Sequence, residues 1–164
     1  MSLDSTNRKK GHELTPGYLL RQGTWVAVCD GRKALLLENK GSREYPKLET
    51  REHFEQTNPP THLQGSAAPG RSVSSSDGRR SSVEETDFHD QAERDFLHAF
   101  AKSLDQNIQT HGIRALILIA PARALGMIRP ELSAATQRII VAEFDRDYVK
   151  LPLYEIERHL TRLT

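Results

Sequence analysis

Three aspartates stand at positions where carboxylates can gather around a metal. Asp30 closes the run Trp25-Val-Ala-Val-Cys-Asp30, and Asp145 and Asp147 follow the apolar stretch Ile139-Ile-Val-Ala-Glu-Phe144. Hydrolysis by paired metal ions needs several such groups within a few ångströms, and Glu93 is a further acid available to the set. A complete set also calls for an acid where the fourth strand ends, and there the chain reads Ala120-Pro121. Each aspartate has a plainer reading beside the catalytic one. Asp30-Gly31 is an ordinary turn pair, and Asp145 and Asp147 flank Arg146 as solvated residues do. His89 and Glu93 share a helix face with Asp87 nearby, but a metal needs at least three ligands and a supporting shell. Cys29 lies in an apolar strand, where thiols are packing groups rather than nucleophiles. No pattern calls for a metal or cofactor, and no nucleophile is assigned.

Phosphate contact is the other chemistry on offer. Between Gly65 and Ser82 the chain is rich in Gly and Ser, and it carries Arg71, Arg79 and Arg80 against the single acid Asp77. Flexible Arg/Gly/Ser segments can follow a phosphate backbone and become ordered on binding. No aromatic residue there is available to stack on a base, which is what sequence-tolerant single-strand binders use. Arg123 and Arg129, just past the fourth strand, extend the patch if that strand's end faces the loop.

These residues need a scaffold. The chain has 164 residues, 37% of them apolar, and a formal net charge of +1; its mean hydropathy is −0.60. That suits one domain large enough to bury a core without disulfides. A near-neutral charge gives no general reason for nucleic-acid or membrane binding, so the case for either rests on local clusters. One cysteine cannot form an internal disulfide. No stretch is apolar enough for a secretory signal or a membrane span, and the cytoplasm is the expected compartment.

Residues 1–22 are polar and read as a mobile tail, leaving 23–164 as one α/β domain. Thr24–Asp30 reads as a strand buried on both faces, with Ala34–Glu38 as its hairpin partner. A third strand is expected within Tyr45–Phe54, where Leu48, Thr50, Glu52 and Phe54 share one parity. Residues 56–85 have no period and read as a long loop, either functional or disordered. From Thr86, Phe88, Ala92, Phe96, Phe100, Leu104 and Ile108 recur every fourth residue. That predicts an amphipathic helix of about five or six turns. Asp87, Asp90, Glu93 and Asp95 then sit at its start, where the dipole favours acids, and His111-Gly112 stops it. Ala115–Ala120 predicts a buried parallel strand. Residues 122–138 predict helical turns broken at Gly126 and Pro130, Ile139–Phe144 a fifth strand, and Pro152–Leu160 a closing helix. The resulting order, β-β-β-α-β-α-β-α, is that of a ribonuclease H-like mixed five-stranded sheet with helices on its faces.

Four stretches in this order look familiar: Trp25–Asp30 with Ala34; Pro69-Gly-Arg-Ser72 with Arg80 and Asp87; Ala120-Pro121 with Leu125-Gly126 and Ile128-Arg129; and Glu143-Phe-Asp-Arg-Asp147 with Leu151-Pro152. Together, over roughly residues 24–162, they resemble the bacterial host-attachment family, proteins required for attachment to host cells. That family is similar to the central domain of archaeal and eukaryotic peptide-chain release factors and of pelota. The resemblance implies a translation-linked ancestry. In release factors the loop before the long helix carries Gly-Gly-Gln, which works in the peptidyl-transferase centre. This chain has only Gln64-Gly65, in reverse order. The expectation is therefore a non-catalytic module that contacts RNA or the ribosome through residues 65–82. The alternatives are a metal-dependent hydrolase using Asp30 with Asp145 or Asp147, and a protein-interaction factor acting indirectly in attachment to host cells.

Overall fold

A computed structural model describes residues 20–57 and 78–163. Five strands form one mixed sheet: β1 (Trp25–Cys29), β2 (Lys33–Asn39), β3 (Leu48–Glu55), β4 (Leu116–Ala120) and β5 (Ile140–Asp145). Their order across the sheet is β3-β2-β1-β4-β5. β1 is antiparallel to β2 and parallel to β4, and β4 is parallel to β5. Among the described residues four α-helices accompany the sheet: α1 (Gly78–His111), α2 (Ala122–Ile128), α3 (Ala134–Ile139) and α4 (Leu153–Leu163).

β1 and β4 are wholly apolar because both their faces are covered. Trp25, Ala27, Cys29, Leu116, Leu118 and Ala120 pack into the cluster that α1 and α2 complete with Leu97, Phe100, Leu104, Leu125 and Ile128. The alternate residues Val26, Val28, Ile117 and Ile119 face Ile156 and Leu160 of α4, together with Tyr148 and Val149. Leu20 belongs to this second cluster and is 1% exposed. The Leu20 carbonyl accepts from the buried Asn39 side chain; of the stretch read as a mobile tail, residues 1–19 lie outside the described residues.

β3 departs from its expected parity. The register slips between Leu36 and Leu37, which pair with Glu52 and Thr50. Arg51 is thus the extra residue of a bulge, and such an insertion reverses which side chains face in. Leu48 consequently packs in the α4 cluster, while Phe54 packs against the α1 cluster.

The helix predicted from Thr86 begins at Gly78 and has 34 residues, so residues 78–85 are helical rather than loop. At 1.5 Å per residue α1 is about 51 Å long, whereas the five-residue β4 spans about 17 Å. α1 runs antiparallel to β4, and its N-terminal half overhangs the carboxyl ends of the strands. That explains why Phe88, the first residue of the predicted stripe, is 76% exposed: the sheet has ended beneath it. Asp87, Asp90, Glu93 and Asp95 lie well inside the helix, and its first turn holds no acid. The other end is as expected. Gly112 adopts φ +61, and the Ile113 N–H donates to the Ile108 carbonyl, a glycine-terminated helix stop.

Gly126 does not break a helix. It lies within α2, and the interruption comes at Arg129–Glu131, a 3-10 turn containing Pro130. α3 starts at Ala134, where the Ser133 hydroxyl accepts from the Thr136 N–H and caps the helix.

Candidate functional site

The carboxyl ends of β1, β3, β4 and β5 lie along one edge of the sheet. β1 leads sideways into β2, whereas β4 leads through α2 and α3 to β5 on the other side. Such a divergence leaves a crevice between neighbouring strands, where open α/β sheets bind ligands. Here it is an open cleft of about 360 Å³, lined by Asp30, Gly31, Arg32, Glu93, Arg123 and Lys150 with Pro121 and Ala124.

The β1–β2 turn builds one wall. Asp30 Oδ1 accepts from the Arg32 and Lys33 N–H groups, each at 2.7 Å. That bonding is the aspartate turn expected of an Asp-Gly pair, and it commits one carboxylate oxygen to the backbone. Gly31 lets α1 approach, since a Cβ there would lie 2.6 Å from Glu93 Cγ. The opposite wall begins where β4 runs into α2. Arg123 Nε donates to Glu93 at 3.1 Å, and its Nη2 donates to Asp90. These two hydrogen bonds, to Glu93 first and Asp90 second, raise the Arg123 pKa above its ordinary value, so this guanidinium stays charged. Two of the acids that sequence position placed at a helix start, Asp90 and Glu93, instead form an interhelical clamp with Arg123.

The cleft lies beside the end of β3. The Gln56 N–H donates to the Arg32 carbonyl at 2.7 Å, and the Gln56 side chain donates to the Ala92 carbonyl at 3.0 Å. Of the arginines expected to contact phosphate, Arg71 lies outside the described residues, while Arg79 and Arg80 fall in the first turn of α1. Arg123 stands at the cleft. Arg129 sits farther along the α2 side, where Glu143 Oε2 accepts from its Nε at 2.9 Å and its Nη2 at 2.6 Å. Asp145 ends β5 opposite Ala120. It and Asp147 are exposed, and neither lines the cleft with Asp30. Among the described residues, no three His, Cys, Asp or Glu side chains come together as a metal site.

Two cleft residues carry charge without being matched. Arg32 and Lys150 are exposed, and among the described residues neither side chain has an ion-pair or hydrogen-bond partner. The sequence holds a partial signal for Arg32, which follows the Asp-Gly turn closing β1. It holds none for Lys150, which the fold brings in from beyond β5.

The clamp makes a local prediction. Arg123→Ala removes the only cation held by both Asp90 and Glu93 among the described residues, and places two uncompensated acids on one helix face. Amide exchange along residues 83–95 is expected to accelerate, while Leu97–Ile108, anchored in the core, stays protected. Unchanged exchange across both segments would show that the clamp does not hold the overhang.

A family model, that of bacterial archaeo-eukaryotic release factor family 12, matches residues 23–160. No curated protein matches the chain. Among the described residues no helix is long and apolar enough to cross a membrane.

Proposed function

We propose, from the premise that this chain belongs to bacterial archaeo-eukaryotic release factor family 12, that it is a non-catalytic release-factor-like module contacting RNA of the translation machinery. The family match over 23–160 is the observation that carries this reading. We further infer a ribonuclease H-like architecture. The mixed five-stranded sheet with helices on both faces supports it.

The contact runs through residues 65–82. Arg71, Arg79 and Arg80 supply most of its charge, and Arg123, at the cleft, is the nearest described addition to them in the proposal. Arg123 and Arg129 reach a phosphate only by exchanging their present carboxylate partners, so both are secondary contacts. Peptidyl-tRNA hydrolysis is not part of the proposal, because the sequence has no Gly-Gly-Gln. The hydrolase alternative has less support: Asp30 holds a turn, and Asp145 and Asp147 lie outside its cleft.

Sedimentation of lysate containing the tagged protein tests the reading, at low and high salt, with the Arg71/Arg79/Arg80→Glu variant alongside. The wild type is expected to travel with ribosomal particles at low salt and to be released by salt or by the triple substitution. Each phosphate contact makes affinity fall with salt. A wild type that stays at the top of the gradient in low salt overturns ribosome contact. A variant that sediments like the wild type overturns the role given to the three arginines.

A further inference from the structure

Three features of the cleft set it apart from an ordinary surface depression. It occupies the divergence between β1 and β4, where backbone connections part and a ligand can reach the strand ends. Its acids are already engaged: Asp30 Oδ1 by two backbone N–H groups, and Glu93, with Asp90 behind it, by Arg123. Its remaining charges, Arg32 and Lys150, are both positive and both unmatched among the described residues. Surface cations next to accessible carboxylates ordinarily pair with them. Here the clamp and the turn occupy the acids and leave two cations to face the same opening. A volume of about 360 Å³ falls at the lower end of small-ligand sites.

We propose that this cleft binds a phosphate-bearing ligand, with Arg32 and Lys150 contacting the phosphate oxygens. Arg32 offers the planar fork that suits two phosphate oxygens, and Lys150 offers a point charge. While its pairs with Glu93 and Asp90 stand, Arg123 is a positioning residue that keeps both carboxylates off the incoming anion; it contacts phosphate itself only if those pairs are exchanged. The phosphate comes either from an RNA backbone or from a small free phosphate compound. The first source deepens the RNA-contact reading and rests on it; the second stands without it.

The test is an amide NMR titration of the full chain with two probes, inorganic pyrophosphate and a short single-stranded RNA. Wild type, Arg32→Ala/Lys150→Ala and Arg71/Arg79/Arg80→Glu are compared. Both cleft side chains are exposed, so the double variant is expected to keep the wild-type fold and thermal midpoint. Pyrophosphate should shift the amides of Gly31, Arg32, Arg123 and Lys150. Its affinity should drop at least tenfold in the double variant and stay unchanged in the triple-arginine variant.

If RNA shifts the same amides, the double variant should lower the salt slope of RNA binding by about 1.4, the value for two single-strand phosphate contacts. RNA is then the source. Shifts with pyrophosphate alone support the small-phosphate source. Cleft amides that ignore both probes overturn the proposal, as does a double variant that binds like wild type. RNA binding lost in the triple-arginine variant but retained in the double variant leaves the RNA reading standing without the cleft. Pyrophosphate in the cleft with no RNA binding by wild type does the reverse.

Discussion

Replacing Asn39 by alanine is expected to lower stability by about 3 kcal/mol, a fall of roughly 10 °C in the thermal midpoint for a chain of this size. No other polar side chain described makes so many separate backbone connections. Its Nδ2 donates to the Leu20 and Arg21 carbonyls at 3.0 and 3.2 Å. Its Oδ1 accepts from the Gly41 and Lys47 N–H groups at 3.0 and 2.9 Å. The residue is 0% exposed. One amide thus fastens the segment entering β1 and the β2–β3 turn to the end of β2. Alanine leaves all four backbone groups without these partners. Water can rescue those near the turn, but Leu20 lies in the core, so the loss exceeds that of a single surface bond.

Asn39→Asp separates the two halves of this role. The carboxylate still accepts from Gly41 and Lys47 but faces two carbonyls it cannot donate to when ionised. Denaturation should therefore show Asn39→Asp at least as destabilised as Asn39→Ala at neutral pH, and partly recovered in acid. Equal stability of all three proteins would mean that the amide is replaceable by solvent.

This residue also shows where sequence reading runs out. Asn39-Lys-Gly-Ser42 signals a turn, and Asn39 is at the turn. Its donors point instead to a segment 18 and 19 residues earlier, and no local pattern records that. β1 and β4 were legible because covering both faces of a central strand requires an unbroken apolar run. α1 was legible only where it packs. An apolar stripe reports burial rather than helicity, and among the described residues of α1 none before Leu97 is buried. The β3 bulge was hidden for a related reason: parity tells which residues share a face only while the ladder is regular. The cleft was half legible. Asp30 and Arg123 were visible as charged residues at strand ends, but their present partners, and the gathering of Arg32 with Lys150, follow from how α1 crosses the edge.

Cys29 gives the second large effect, an alkaline one. The thiol is buried at the end of β1. Burial, and to a smaller extent the Asp30 charge, push its pKa up from 9.0 to about 12. Above about pH 9 the unfolded chain releases this proton while the folded chain retains it. The folded state then binds more protons than the unfolded state, so stability falls as pH rises. The loss is about 1.4 kcal/mol per pH unit, on the order of 4 kcal/mol in all by the folded pKa. Below pH 9 the contribution is fully present. Cys29→Ala has no proton to lose. It should cost roughly 1 kcal/mol at neutral pH through the lost packing of the sulfur. Lysine and tyrosine titration affects both proteins alike, so the difference between their denaturation curves isolates the thiol. The two stabilities should cross near about pH 10, with the variant the more stable beyond it. A thiol reagent at pH 8 should label wild type only as fast as the sheet opens. Parallel stability curves across pH 8–11, or labelling as fast as in a free peptide, would show that the thiol ionises without leaving the folded state.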